Sequence, residues 1–336
     1  MDDSLLQRFR EGLERHRAAL VTWLGNGGAH PEAPPEERVP VLAEIDAALC
    51  CIDAGAFGQC TACTGEVEPE RLALDFTTSV CLDHYTEAEK RALERDLELA
   101  AGVQRHLFPC CVPALPGFDV AAHAKPAHIV GGDYYDFYPS LDCHQGFAIA
   151  DVMGKGLPAS MLMANLQASL RILGPDYREP HALAERLNGL FRYNLKLIRF
   201  ISLCLVTLDA EAGRLRYCNA GHNPPLRWNA ASHTAEWLGP TGPALGLVPE
   251  PAYTSRSVPF EPGDVVVLYT DGLVEARNPA GGEFGAERVA AYVEQHAGDP
   301  AEALRAGLWA YARAFSGGHL GDDVAAMVIR RMPEGV

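Results

Sequence analysis

The sequence lacks any apolar run of the ~18 or more residues that a membrane-spanning helix requires, so no bilayer span is expected. It is also short of positive charge. Against 44 Asp and Glu residues there are 28 Lys and Arg, a net charge of −16. So acidic a surface repels phosphate backbones, which nucleic-acid binders neutralise with basic side chains. Nucleic acid is therefore not an expected partner; divalent cations and basic protein surfaces suit the chain better. A basic leader is missing too, since the chain opens Met1-Asp2-Asp3-Ser4 where a secretory signal is positive. These absences predict a cytoplasmic protein with no membrane partner. In that reducing compartment the ten cysteines are read as metal ligands or thiols before disulfides.

What is present suffices for about two domains. Leu5, Leu6, Phe9, Leu13, Leu20 and Leu24 recur at helical spacing, and Gly25-Asn26-Gly27-Gly28 with the Pro-rich stretch to Pro35 predicts a loop. Val39 to Ile52 predicts a second helix with Leu42, Ile45, Leu49 and Ile52 on one face. Thr86-Glu87-Ala88-Glu89 is a capping box that opens a third, ended by Pro109 after Phe108. Along it Leu93, Leu97, Ala100, Gln104 and Leu107 form a stripe that suits either a dimer seam or packing on its own domain. Beyond Pro109, strands are predicted at Phe147–Ile149, Ile201–Leu208, Leu215–Cys218, Val265–Tyr269 and Ala325–Ile329. Helices are predicted at Ala159–Leu173, His181–Leu197, Ala286–His296 and Pro300–Phe315. Consecutive strands with few helices between them predict an α+β fold with antiparallel pairing.

Cys60-x2-Cys63, then seventeen residues, then Cys81-x2-His84 is a zinc spacing, and a closed set of four ligands is structural rather than catalytic. Between Glu36 and Tyr85 only Arg38 and Arg71 are basic, against ten acids, which argues against a duplex-reading role. With Asp53-Ala54-Gly55-Ala56-Phe57-Gly58-Gln59-Cys60 ahead of it, the segment 38–85 resembles a TraR/DksA-type zinc finger. His84 stands where that family often has Cys, and the family's long acidic-tipped coiled coil has no counterpart. The Cys50-Cys51 and Cys110-Cys111 pairs have no clear activating cation and read as ordinary thiols.

A second constellation is made of acids. Asp133 follows Gly131-Gly132, itself after Ile129-Val130; Asp151 closes Phe147-Ala148-Ile149-Ala150; Asp271 closes Val265 to Thr270 and precedes Gly272; Asp322-Asp323 opens the last strand. Each alone is a common turn or cap. Together they place carboxylates at the ends of apolar strands, a costly position unless a cation neutralises them. Oxygen donors without His or Cys point to Mg²⁺ or Mn²⁺ rather than zinc. The residues by themselves reach a divalent-metal site and name no reaction.

The series Gly131-Gly132-Asp133-Tyr134-Tyr135-Asp136-Phe137, Ala150-Asp151-Val152-Met153-Gly154-Lys155-Gly156, Asn219-Ala220-Gly221-His222-Asn223-Pro224-Pro225, Tyr269-Thr270-Asp271-Gly272 and Asp322-Asp323-Val324 resembles the SpoIIE-type branch of the metal-dependent protein phosphatases, the PPM superfamily. The resemblance covers residues 110–332, and 90–108 resembles the family's linker helix. It implies a β-sandwich flanked by helices, with two Mn²⁺ or Mg²⁺ ions at one end. By that resemblance Asp151 bridges the ions, the Val152 carbonyl binds one, Asp271 and Asp322 hold the other, and Asp133 acts directly or through water. It implies hydrolysis of phosphoserine or phosphothreonine on a STAS-class anti-anti-sigma factor. Met153 stands where other branches place a candidate general-acid His, Ala325 where Thr or Ser is common, His222 reads as structuring its turn, and Lys155 either attracts phosphate or anchors a helix start. The expected organisation is a helical zinc-finger module (1–85), a linker helix (86–109) that dimerises the chain, and a phosphatase domain (110–332). The rival reading is a catalytically weak scaffold whose finger meets the transcription machinery.

Overall fold

The computed structural model describes residues 3–25 and 39–333, apart from 64, 75, 85, 142–143, 195–199, 210–211 and 249. The loop expected over 26–35 and the last three residues of the helix expected at His181–Leu197 lie outside the described residues. The chain forms two compact units, Met1–Arg95 and Asp96–Val336. Among the described residues no helix is long and apolar enough to cross a membrane.

In the first unit, α1 (Asp3–Gly25), α2 (Val39–Asp53) and the short α3 (Pro69–Leu74) surround a small core. Ile45, Ala48 and Ile52, three and four residues apart, put one face of α2 against Leu13, Phe57, Val67 and Leu72. Cys60 and Cys81 are buried in the same cluster. Arg10–Asp53 and Arg17–Asp46 ion pairs, both 2.6 Å, join α1 to α2 at the surface, where such pairs contribute little.

Helix α4 (Glu87–Leu107) starts on the expected capping box: Thr86 N donates to Glu89 Oε2 at 2.7 Å, and Glu89 N to Thr86 Oγ1 at 3.3 Å. The stripe along α4 is not one seam. Gln104 is buried and Leu107 packs on the core of the second unit, whereas Leu99 and Val103, off the stripe, are 69% and 63% exposed.

The second unit is a sandwich. In chain order it comprises β1 (Phe118–Lys125), β2 (Tyr134–Pro139), β3 (Gln145–Val152), α5 (Gly156–Leu173), α6 (Pro180–Asn194), β4 (Ile201–Asp209), β5 (Arg214–Ala220), β6 (Leu226–Asn229), β7 (Thr234–Trp237), β8 (Arg256–Pro259), β9 (Val265–Tyr269), α7 (Asp271–Val274), α8 (Ala286–His296), α9 (Ala301–Phe315) and β10 (Val324–Arg331). Among the described residues the strands form two five-stranded sheets, ordered β1-β10-β9-β6-β7 and β2-β3-β4-β5-β8, with every pairing antiparallel. The α+β class and helix-flanked sandwich expected from the sequence are the fold observed.

The central strands read as unbroken apolar runs because both of their faces are covered. Phe147 and Ile149 of β3, Cys204 and Val206 of β4, Val266 and Leu268 of β9, and Ala325, Met327 and Ile329 of β10 meet between the sheets. The alternate residues face outward: Ala148, Ala150 and Val152 pack under α5 and α6, and Val265, Val267 and Val328 under α8 and α9. Two local expectations are corrected. Ile129-Val130 is not a strand; Asp133 instead stands one residue before β2, and Ile129 is exposed. Nor does β3 stop at Ile149, for its pairing with β4 continues through Asp151↔Ser202 and Val152↔Ile201.

Candidate active site

One end of the sandwich gathers the acids. Asp133, Asp151, Asp271, Asp322 and Asp323 line a single cavity of about 280 Å³ with Lys155, Ser202, His222 and Asn223. Each acid is delivered by a strand terminus: Asp133 enters β2, Asp151 is near the end of β3, Asp271 is the first residue of α7 after β9, and Asp322 and Asp323 precede β10. Strand ends of both sheets lie here, which brings together carboxylates more than 180 positions apart in the chain. Of the predicted ligands, Val152 alone is not part of the lining. It is fully buried, with its carbonyl oxygen against Gly132, where a Cβ would come within 2.7 Å of it.

Adjacent Asp322 and Asp323 do different work because their carboxylates meet different partners. Asp323 is buried and accepts from Ala127 N at 2.7 Å and Gly132 N at 2.8 Å, fixing the loop that carries Asp133. Any side chain at Gly131 would strike that carboxylate. Asp322 is more open and pairs with Lys155 Nζ at 2.8 Å. Asp133 itself is held by Thr270, whose Oγ1 donates to Asp133 Oδ2 at 2.5 Å and accepts from Ala325 N at 2.8 Å. On the other side of the loop, Gln104 of α4 grips Gly131 with both ends of its amide, Nε2 to the carbonyl at 2.6 Å and Oε1 from the N–H at 3.1 Å.

So many like charges in a confined site resist ionisation. Burial, then the Asp151 charge, pushes the Asp133 carboxyl well above the usual carboxylate range. Burial, then Asp271 and Asp322, pushes Asp151 up to about 7. Asp271 is raised by burial and then by Asp322. An all-oxygen set whose own repulsion holds protons on it fits divalent cations, which remove that repulsion. His222 turns out to do more than shape its turn. The Asn219 side chain takes that part, accepting from His222 N at 2.8 Å, while the buried imidazole lines the cavity and its Nδ1 lies 2.7 Å from Ser202 Oγ. Burial lowers its pKa to about 4; the Tyr269 carbonyl opposes this in part, although Nε2 has no hydrogen bond of good geometry. His222 is thus neutral near pH 7.

Sequence reasoning passed over Gln104, Thr270, Ser202 and the separate role of Asp323. Thr270 and Asp323 lie inside the quoted motifs. Ser202 is hidden in an apolar strand and Gln104 in an apolar stripe.

In the first unit, Cys60, Cys63, Cys81 and His84 offer donor atoms that all lie within 4.8 Å of one another. Cys63 Sγ and Cys81 Sγ are 3.7 Å apart, the edge of a tetrahedron with metal–sulfur bonds of ~2.3 Å. Backbone N–H groups of Cys81 and Gly65 point at Cys60 Sγ and Cys63 Sγ, at 3.4 and 3.3 Å. The first of these holds the Cys60 thiol down, to about 6, and burial pushes Cys81 up to about 11. One thiolate beside a second, proton-holding sulfur fits a cation that would displace the proton.

Comparison with known proteins agrees with the fold. The phosphoserine phosphatase RsbU of Bacillus subtilis is 27% identical over 267 residues, which cover 77% of this chain and 79% of that protein. The SiaA-PP2C domain of Pseudomonas aeruginosa superposes with a TM-score of 0.64 at 22% identity, covering 73% of this chain and 99% of that one. A Mycobacterium tuberculosis protein with RsbU and RsbW domains gives a TM-score of 0.58 at 26% identity, covering 66% of this chain and 61% of that one. Residues 142–332, more than half of the chain, match the family described as Stage II sporulation protein E (SpoIIE). With the acid-lined sandwich already in view, that match means the chain belongs to the SpoIIE family and is a protein serine/threonine phosphatase.

Proposed function

We propose that the chain removes phosphate from phosphoserine or phosphothreonine on a regulatory protein of the STAS class, using two Mn²⁺ or Mg²⁺ ions. The observation that carries this reading is the meeting of Asp133, Asp151, Asp271 and Asp322 from four separated segments in one cavity. In this reading Asp151, Asp271, Asp322 and the Val152 carbonyl would hold the ions, with Asp133 acting directly or through water. Such ions, when bound, would make a water more acidic and would offset charge on the phosphoryl oxygens. The protein's part is positional. Asp323, Thr270 and Gln104 fix the loop of Asp133, and Ser202, opposite Asp151 in the strand register, presents a hydroxyl oriented by neutral His222. With Met153 after the strand end, no imidazole stands two residues beyond Asp151 to protonate the leaving serine oxygen.

A regulatory protein as substrate is supported by the similarity to RsbU and to a protein that joins RsbU and RsbW domains. Residues 1–85 form a TraR/DksA-like module in which Cys60, Cys63, Cys81 and His84 hold one structural Zn²⁺, a reading supported by the donor spacing. Residues 86–109 are the linker helix and 110–332 the catalytic domain. The linker pairs with that of a second chain in a cytoplasmic homodimer, which the exposure of Leu93, Leu99 and Val103 supports. The test is phosphate release from a serine-phosphorylated STAS protein. Manganese-dependent release is expected, and Asp151→Asn abolishes it. Enzyme that cleaves an aryl phosphate yet leaves that protein phosphorylated would remove the substrate class. Enzyme that cleaves neither would favour the scaffold reading.

A further inference from the structure

Among the described residues lining the acid cavity, Lys155 alone carries a fixed positive charge, facing five carboxylates. The backbone is shaped to place it there. Gly154 (φ 109°) and Gly156 (φ 70°) flank it in a region where side chains are strained. Lys155 between them is extended, with φ −129° and ψ 162°. It stands immediately before α5 but makes no side-chain cap hydrogen bond. An ammonium has only donors and is unable to satisfy the N–H groups of a helix start. The reading of Lys155 as a helix anchor therefore finds no support. Its side chain instead crosses to Asp322 at 2.8 Å, and the two side chains are 52% and 43% exposed. A pair this open is weak and exchanges readily.

We infer that Lys155 is the phosphate-positioning residue of the site, pairing with Asp322 while that carboxylate lacks a cation and turning to a phosphoryl oxygen of the substrate once a cation holds Asp322. The inference rests on the reading of Asp322 as a metal ligand. Its physical basis is charge balance. A cation on Asp322 cancels the attraction that holds the ammonium and repels it, while a phosphoryl dianion in the cavity supplies a new acceptor. Two opposite effects follow from one side chain: Lys155 hinders cation binding and favours phosphate binding. A merely structural lysine would weaken both or neither.

The experiment uses the full chain with Lys155→Met and Lys155→Arg, and Lys155→Gln as a second neutral variant should the first fail to fold. Manganese binding is measured by calorimetry, with Asp151→Asn identifying the heat that belongs to the cavity. KM for p-nitrophenyl phosphate and inhibition by inorganic phosphate are measured at saturating manganese. The neutral variant should bind manganese about three- to tenfold more tightly. Its KM and its phosphate inhibition constant should rise about tenfold, with kcat changed less than about threefold. Lys155→Arg, which keeps the charge, should stay near wild type in both. Manganese affinity that is unchanged or weaker in the neutral variant, or a KM within about twofold of wild type, overturns the inference while the phosphatase reading stands. Wild-type protein that neither binds manganese in the cavity nor cleaves the ester overturns both.

Discussion

Replacing Asp151 by Asn should make the cation-free protein more stable at pH 8 while abolishing catalysis. Burial, then the charges of Asp271 and Asp322, pushes Asp151 up to about 7, against an ordinary value of 3.8. A tenfold change in a group's proton affinity is ~1.4 kcal/mol, so holding Asp151 ionised costs the folded state about 4 kcal/mol at most. Solvent at the cavity mouth screens part of it, leaving roughly 2–4 kcal/mol. For a unit of this size that is about 5–10 °C in Tm. The sign follows from proton counts. The folded state keeps the Asp151 proton up to about pH 7, whereas the unfolded chain releases it near pH ~4. Stability from this group is therefore complete below the unfolded value and is lost as pH rises through the folded one. Asn carries no charge at any pH, so the gain in Asp151→Asn should be widest at pH ~8 and close toward pH ~4–5. Thermal melts of cation-free wild type and variant at the two pH values read this directly. Added manganese should raise Tm of the wild type and not of the variant, since only a ligand that binds the folded state stabilises it. A variant less stable than wild type at pH 8 without cations would refute the electrostatic reasoning.

Three further outcomes are expected. Protein purified without chelator should hold one Zn²⁺, and Cys60→Ser with Cys63→Ser should lose it and unfold the first unit; elemental analysis finding no zinc in wild type contradicts this. Gln104→Leu strands the N–H and carbonyl of Gly131, at a cost of about 2–4 kcal/mol, and should lower Tm by several degrees; unchanged melting would mean that water replaces the amide. Leu93→Asp with Leu97→Asp should shift sedimentation from dimer to monomer, and an unchanged mass removes the linker helix as the dimer seam.

The readability of the sequence follows how its elements are buried. Val265–Tyr269 and Ile201–Leu208 were legible because both faces are covered, which leaves a continuous apolar signature. β7 and β8 were not, since every residue of β7 and most of β8 is exposed at a sheet edge, and β2 carries buried Asp136 in its middle. The capped start of α4 was readable from local chemistry alone. Its partition was not, because Gln104 on an apolar stripe looks like a seam position until the loop it grips is in place. In the site, acids beside glycines pointed to one shared cluster, and the structure brings Asp133, Asp151, Asp271 and Asp322 together. What the sequence withheld depends on register. Ser202 faces the cavity only because β4 pairs with β3 at Asp151, and Asp323 separates from Asp322 only once the folded loops give it the N–H groups of Ala127 and Gly132.

The most direct measurement is the hydrolysis of p-nitrophenyl phosphate while manganese is titrated into cation-free protein, for wild type, Asp151→Asn and Asp271→Asn. Wild type should be inactive without the cation and rise to a plateau, and both variants should lose at least ~100-fold in rate with the fold retained, because a carboxamide does not balance cation charge as a carboxylate does. Activity that persists in chelator, or that is undiminished in Asp151→Asn, would contradict the account.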